Sequence, residues 1–141
     1  MKLLAYELNP FIEFLYHLKL AGKTSRMRSR LLAVLSELAQ RHESEVNKLV
    51  QEYAEKDEQG KPFIVEEEKG SYYKIANMEQ FNKEYQELAQ EEIVLDLTAE
   101  RRAMLECVRD AVLDCEDVFE GDDAIRYNRW CDIVEAIQYE E

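Results

Sequence analysis

The sequence predicts a mainly α fold with a small antiparallel β element, an α+β helical bundle built around one long helix. Three patterns carry that expectation. Apolar residues recur at helical spacing from Met27 to Tyr53, two short β-favouring runs flank a polar connection, and capping residues precede two further amphipathic stretches. A chain of 141 residues buries about two-thirds of its unfolded surface, so one domain over 1–141 with one core is expected.

The elements follow in chain order. After a short apolar lead, Asn9-Pro10 reads as an N-cap followed by proline at the first helical position. Phe11, Phe14, Leu15 and Leu18 mark the buried stripe of that helix, and Gly22 is placed to end it in the left-handed conformation. A long helix is expected over about 24–55, with Met27, Leu31, Leu35, Leu38, His42, Val46, Leu49 and Tyr53 on one side. Their mean spacing is nearer the 3.6 of a straight helix than the 3.5 of a coiled coil. Such a helix would run about 45 Å at 1.5 Å per residue, long enough to project or to meet another subunit.

Lys56-Asp-Glu-Gln-Gly-Lys-Pro62 is a polar turn segment that no helix crosses intact. Phe63-Ile-Val65 and Tyr72-Tyr73 with Ile75 then form a hairpin over about 62–75, and the run 93–97 offers a third strand beside it. Asn77, with Gln80 three residues on, caps a helix that carries Phe81, Tyr85 and Leu88 on one face. Thr98 caps the next, with Leu105, Val108, Val112 and Cys115 inward. A last helix follows Gly121-Asp-Asp123 and aligns Trp130, Val134 and Ile137 beside Ile133.

Charge is divided unevenly along the chain. Residues 1–56 carry 9 Lys and Arg against 7 Glu, and residues 57–141 carry 9 against 24 acidic groups, within a net charge of −13. That balance repels phosphate backbones and speaks against direct nucleic-acid binding, while it suits a basic partner. No apolar run reaches the roughly 20 residues of a bilayer span, so no membrane partner is expected. Cys107, Cys115 and Cys131 are odd in number and form no CxxC, which points to free thiols in a reducing, cytoplasmic setting.

The densest basic feature is Lys23-Thr-Ser-Arg26-Met-Arg28-Ser-Arg30 at the start of the long helix. Cations there oppose the macrodipole, so Arg26, Arg28 and Arg30 need an anionic partner: either the acidic half of the chain itself or a docking molecule. Arg26 and Arg30 share a face, and Arg28 points elsewhere. Tyr72 and Tyr73 alternate across the hairpin, so one of them faces outward unless something covers it, as interface tyrosines do.

Asp110, Asp114 and Asp117 stand at i, i+4 and i+7, a row of carboxylates that a hard divalent cation could use if one helix carries all three. A two-helix carboxylate site would need a second row, for which Glu84, Glu87 and Glu91 are the candidates. The same spacing describes a solvated helix face, so no metal and no cofactor is assigned. His17 and His42 have no nucleophile motif around them, no glycine-rich phosphate loop is present, and no catalytic residue is assigned.

The words Leu18-Lys-Leu-Ala-Gly-Lys-Thr-Ser-Arg-Met-Arg-Ser-Arg30, Glu55-Lys-Asp-Glu-Gln-Gly-Lys-Pro62 and Phe81-Asn-Lys-Glu-Tyr-Gln-Glu-Leu-Ala-Gln-Glu-Glu-Ile93 resemble a family of small proteins from phages and prophages of Gram-positive bacteria, domain-of-unknown-function family 1617. The resemblance implies a phage-encoded setting inside an infected bacterium. It also implies roles such as virion assembly, tail-related accessory function or manipulation of a host protein. The expectation is therefore a non-enzymatic accessory or assembly protein that binds protein, itself or a phage or host partner, as a homo-oligomer. The alternatives are an acidic nucleic-acid mimic that inhibits a host protein, and a divalent-metal-dependent nucleotide hydrolase.

Overall fold

The computed structural model of the chain describes residues 1–140. In chain order it contains β1 (Lys2–Leu4), α1 (Leu8–His17), α2 (Gly22–Tyr53), β2 (Ile64–Glu67), β3 (Gly70–Tyr73), α3 (Met78–Ala89), β4 (Glu92–Val94), α4 (Arg102–Leu113) and α5 (Gly121–Glu135). Short 3₁₀ turns at Ala5–Glu7 and Ala99–Arg101 lead into α1 and α4. The α+β class expected from the sequence is therefore the class observed. The chain divides into two compact units, one formed by Met1–Ala39 with the chain from Glu92 onward, the other by Gln40–Glu91.

The first unit has a continuous apolar core. Phe11 and Leu15 of α1, Leu31 and Leu35 of α2, Leu105, Val108 and Val112 of α4 and Ile133 and Val134 of α5 are all buried together. Trp130 lies on Phe11 at 5.3 Å between ring centroids, and Phe14 meets Tyr127 at 5.9 Å, so aromatic contacts join α1 to α5. The Tyr127 hydroxyl donates to the Val112 carbonyl at 2.7 Å, and burial first, then the Cys131 thiol, pushes its pKa up to about 12. Arg109 donates to the Ile137 carbonyl at 2.7 Å and ties α4 to the chain beyond α5.

Two expectations are corrected in this unit. The strand near 93–97 forms as β4, but it pairs antiparallel with β1 (Lys2 with Val94, Leu3 with Ile93, Leu4 with Glu92) and not with the hairpin. Met1, Leu3 and Leu95 are buried in the first unit's core, so the apolar lead is a strand whose inward side chains need that cover. Gly22, at φ +58°, opens α2 and does not close α1. α1 ends five residues earlier, where Leu18 turns extended to bury its side chain, its N–H donates to the Leu15 carbonyl, and Arg28 donates to the carbonyls of Leu15, Tyr16 and Leu18.

The second unit is built from the distal part of α2, the hairpin β2–β3 and α3. Asn77 caps α3 as the sequence predicts, accepting from the Gln80 N–H at 3.2 Å. Tyr53 meets Phe81 edge to face at 6.1 Å, and Phe81 stacks on Tyr85 at 6.0 Å. Leu49, Ala54 and Ala89 are the buried apolar residues here, a thin core of the unit's own. The polar turn closes on Asp57, whose carboxylate accepts from the N–H groups of Gln59 and Lys61, both at 2.9 Å, with Gly60 at φ +78° completing the bend.

Candidate interaction surface

The hairpin is rooted at its base and bare along its length. The Glu55 N–H donates to the Lys74 carbonyl at 2.7 Å and the Phe63 N–H donates to the Glu55 carbonyl at 2.6 Å, so the chain leaving α2 lies between the two arms. Beyond that root the strands bond only to each other, in the register Ile64 with Tyr73 and Val65 with Tyr72. Alternation puts Ile64 and Tyr73 on one face and Phe63, Val65 and Tyr72 on the other. Neither face is covered: Phe63 is 46% exposed, Ile64 52%, Tyr72 50% and Tyr73 38%. The Tyr72 hydroxyl donates to Glu67 at 3.0 Å, which holds the ring along the strand. The sequence pointed to Tyr72 and Tyr73; it missed Phe63 and Ile64, although their place in the same β-favouring runs was a sufficient signal.

The arginine cluster separates into two functions. Arg28 turns back to α1 and donates to the carbonyls of Leu15 (3.3 Å), Tyr16 (3.4 Å) and Leu18, so it is a C-cap reaching across from the next helix. Arg26 and Arg30 are exposed, as is Lys23, and among the described residues none of the three forms an ion pair. With steps of three and four residues, Lys23, Arg26 and Arg30 make one cationic stripe on the outer face of α2.

The second unit contains a groove of about 340 Å³ between α2 and α3, lined by Glu45, Lys48, Leu49 and Glu52 from one helix and by Glu84, Glu87 and Leu88 of the other with Glu91 just past its end. The two linings have the same pattern, a Leu flanked by charged residues at i, i+3, i+4 and i+7. That repeat stands in the sequence at 45–52 and 84–91 and could have been found there. The floor is apolar and the rim carries five carboxylates against one lysine. Glu84, drawing on the Tyr53 hydroxyl, raises the pKa of that tyrosine above its ordinary value.

The aspartate row does not form. α4 ends at Leu113 with Asp114 as its C-cap, so Asp117 lies beyond the helix and leaves the i, i+4, i+7 register. Asp110 is paired with Arg109 at 2.9 Å, and Glu106 with Arg102, so arginines of the same helix occupy this face. Asp114 and Asp117 line a cleft of about 440 Å³ with Lys19 and Glu116. Among the described residues no group of three His, Cys, Asp or Glu is arranged to hold a metal ion. His17 is exposed and bonds Glu13 at 2.7 Å, and His42 is half-buried on α2. Among the described residues no helix is long and apolar enough to cross a membrane.

These observations define a small α+β protein with a rooted, uncovered hairpin, a cationic stripe on α2 and an acidic groove between α2 and α3. The family model described as Protein of unknown function (DUF1617) matches residues 2–141, and the chain belongs to that family. No curated protein and no solved structure matches the chain.

Proposed function

We propose that the chain is a phage- or prophage-encoded accessory or assembly protein, at work in the cytoplasm of an infected or lysogenic bacterium. In this reading it binds protein, assembles as a homo-oligomer, and carries out no chemistry of its own. The phage setting draws on the sequence words at 18–30, 55–62 and 81–93. The binding role draws on one observation, the exposure of Phe63, Ile64, Tyr72 and Tyr73 on both faces of a two-stranded hairpin.

An isolated hairpin is marginal in water, and one that leaves four large side chains half-exposed gains little from its own unit. If each of these side chains still shows roughly 90 Å² to water, two copies meeting through one face bury roughly 350 Å², and covering both faces buries roughly 700 Å², nearly half of a standard interface. The open backbone edges of β2 and β3 add hydrogen-bonding groups that a partner strand can satisfy.

Light scattering after gel filtration tests the reading at about 1 M salt, where the Debye length of about 3 Å leaves apolar contacts as the main source of association. The wild-type chain is expected to elute as a dimer or larger, and Ile64→Ser/Tyr73→Ser as a monomer with unchanged far-UV circular dichroism. A wild-type monomer at every accessible concentration would sink the self-assembly reading.

A further inference from the structure

We propose that the groove between α2 and α3 receives the Lys23/Arg26/Arg30 stripe of a second copy of this chain. The groove presents Glu84 and Glu87 one turn apart on α3 with Glu91 two residues past the helix end, and the stripe presents Lys23, Arg26 and Arg30 along α2. At 1.5 Å per residue the stripe spans about 10.5 Å along α2, and the five carboxylates around the groove outnumber its three cations. Glu45 and Glu52 close the opposite rim, and Leu49 and Leu88 form a floor on which the methylene stems of arginine and lysine can lie.

The charges on the two surfaces are otherwise unmet. Among the described residues none of the five glutamates and none of the three cations takes part in an ion pair. Lys23, in the first turn of α2, gains from an outside anion because the macrodipole works against a cation there. A second copy supplies that anion as a groove of five carboxylates against one lysine, and this charge complementarity fixes the occupant. The contact joins two different surfaces, so it closes a two-fold dimer where the exchange is reciprocal and builds chains or rings where it is not, and in both cases it is distinct from the hairpin contact. It rests on the self-association reading only in taking its partner from the same chain.

Salt separates this contact from the hairpin. Chains of net charge −13 repel one another more strongly as salt is lowered, so association that strengthens at low salt requires a local contact between opposite charges. Sedimentation of the full chain is compared with K23E/R26E/R30E and E84K/E87K/E91K, at about 0.1 M and about 1 M salt. The wild-type dissociation constant is expected to be at least tenfold lower at low salt. Each variant alone loses that gain, and an equimolar mixture of the two regains it, since every stripe again faces a groove of opposite sign. Recovery in the mixture also shows that both variants fold. If a triple reversal loses helicity, R30E and E87K replace it in the same mixture. The proposal is overturned if the wild type shows no low-salt gain, if either variant alone keeps it, or if the mixture fails to restore it. Assembly that survives high salt reports on the hairpin alone, so either contact can fail without the other.

Discussion

Glu7 is the buried charged side chain of the described residues, and its surroundings are built to keep it ionised. Arg129 donates from Nε to Oε2 at 2.7 Å and from Nη2 to Oε1 at 2.9 Å, and the Leu4 N–H donates to Oε1 at 2.9 Å. The Arg129 hydrogen bonds, and after them that of Leu4, outweigh burial and hold the carboxyl below its ordinary 4.5. A depressed native pKa stabilises the fold fully above the unfolded value, and the contribution is lost as pH falls through the native one. Glu7→Gln is therefore expected to lower stability by about 2 kcal/mol at pH 7 and by progressively less below pH 4.5, as denaturant titrations at both pH values would show. The arginine cluster yields a second residue-scale prediction. Arg28→Ala should cost about 1–2 kcal/mol, because the Tyr16 and Leu18 carbonyls lose the guanidinium and Leu15 keeps only the Leu18 N–H, whereas Arg26→Ala and Arg30→Ala should change stability by less than about 0.5 kcal/mol. Equal losses at all three positions would contradict the division of labour. The cluster was legible in the sequence; its division was not, since Arg28 acts on carbonyls 10 to 13 residues away whose position only folding sets.

The elements themselves were readable wherever a long pattern fixed them. The stripe from Met27 to Tyr53 gave α2 to within two residues at each end, and the runs around Ile64 and Tyr73 gave the hairpin. Short elements escaped for physical reasons. β1 has three residues, too few for a period-2 pattern to stand out from an apolar lead, and its partner lies about 90 residues away. The end of α4 carries neither glycine nor proline, so nothing local announced that Asp117 lies outside the helix. The hairpin makes an element-scale prediction through its exposure. With every residue of β2 and β3 exposed except the half-buried Val65, its amides should exchange hydrogen at least tenfold faster than those of α4 and α5, whose inner faces are buried. In an assembled sample that difference should shrink, and exchange equally slow in a proven monomer would mean that the hairpin has cover the structure does not show.

At the scale of the whole molecule, charge sets the response to solution conditions. Thirteen net negative charges repel within a chain of 16.7 kDa, and salt screens that repulsion. Thermal stability should therefore rise by a few degrees between about 0.01 M and about 0.15 M salt, where the Debye length falls from about 30 Å to about 8 Å. A calorimetric scan showing a fall would mean that local ion pairs such as Glu7 with Arg129 outweigh the net charge. The division into two units has a further consequence, for synthesis. The Gln40–Glu91 unit is one continuous stretch and can close as soon as it has been translated, whereas the other unit needs both ends of the chain. Leu3 finds its strand partner Ile93 only about 90 residues later, which at 5–20 residues per second leaves Phe11 and Leu15 uncovered for roughly 5 to 20 s. For that interval the nascent chain offers an apolar segment to ribosome-associated chaperones, and the speed of translation through the middle of the message governs how long they must hold it.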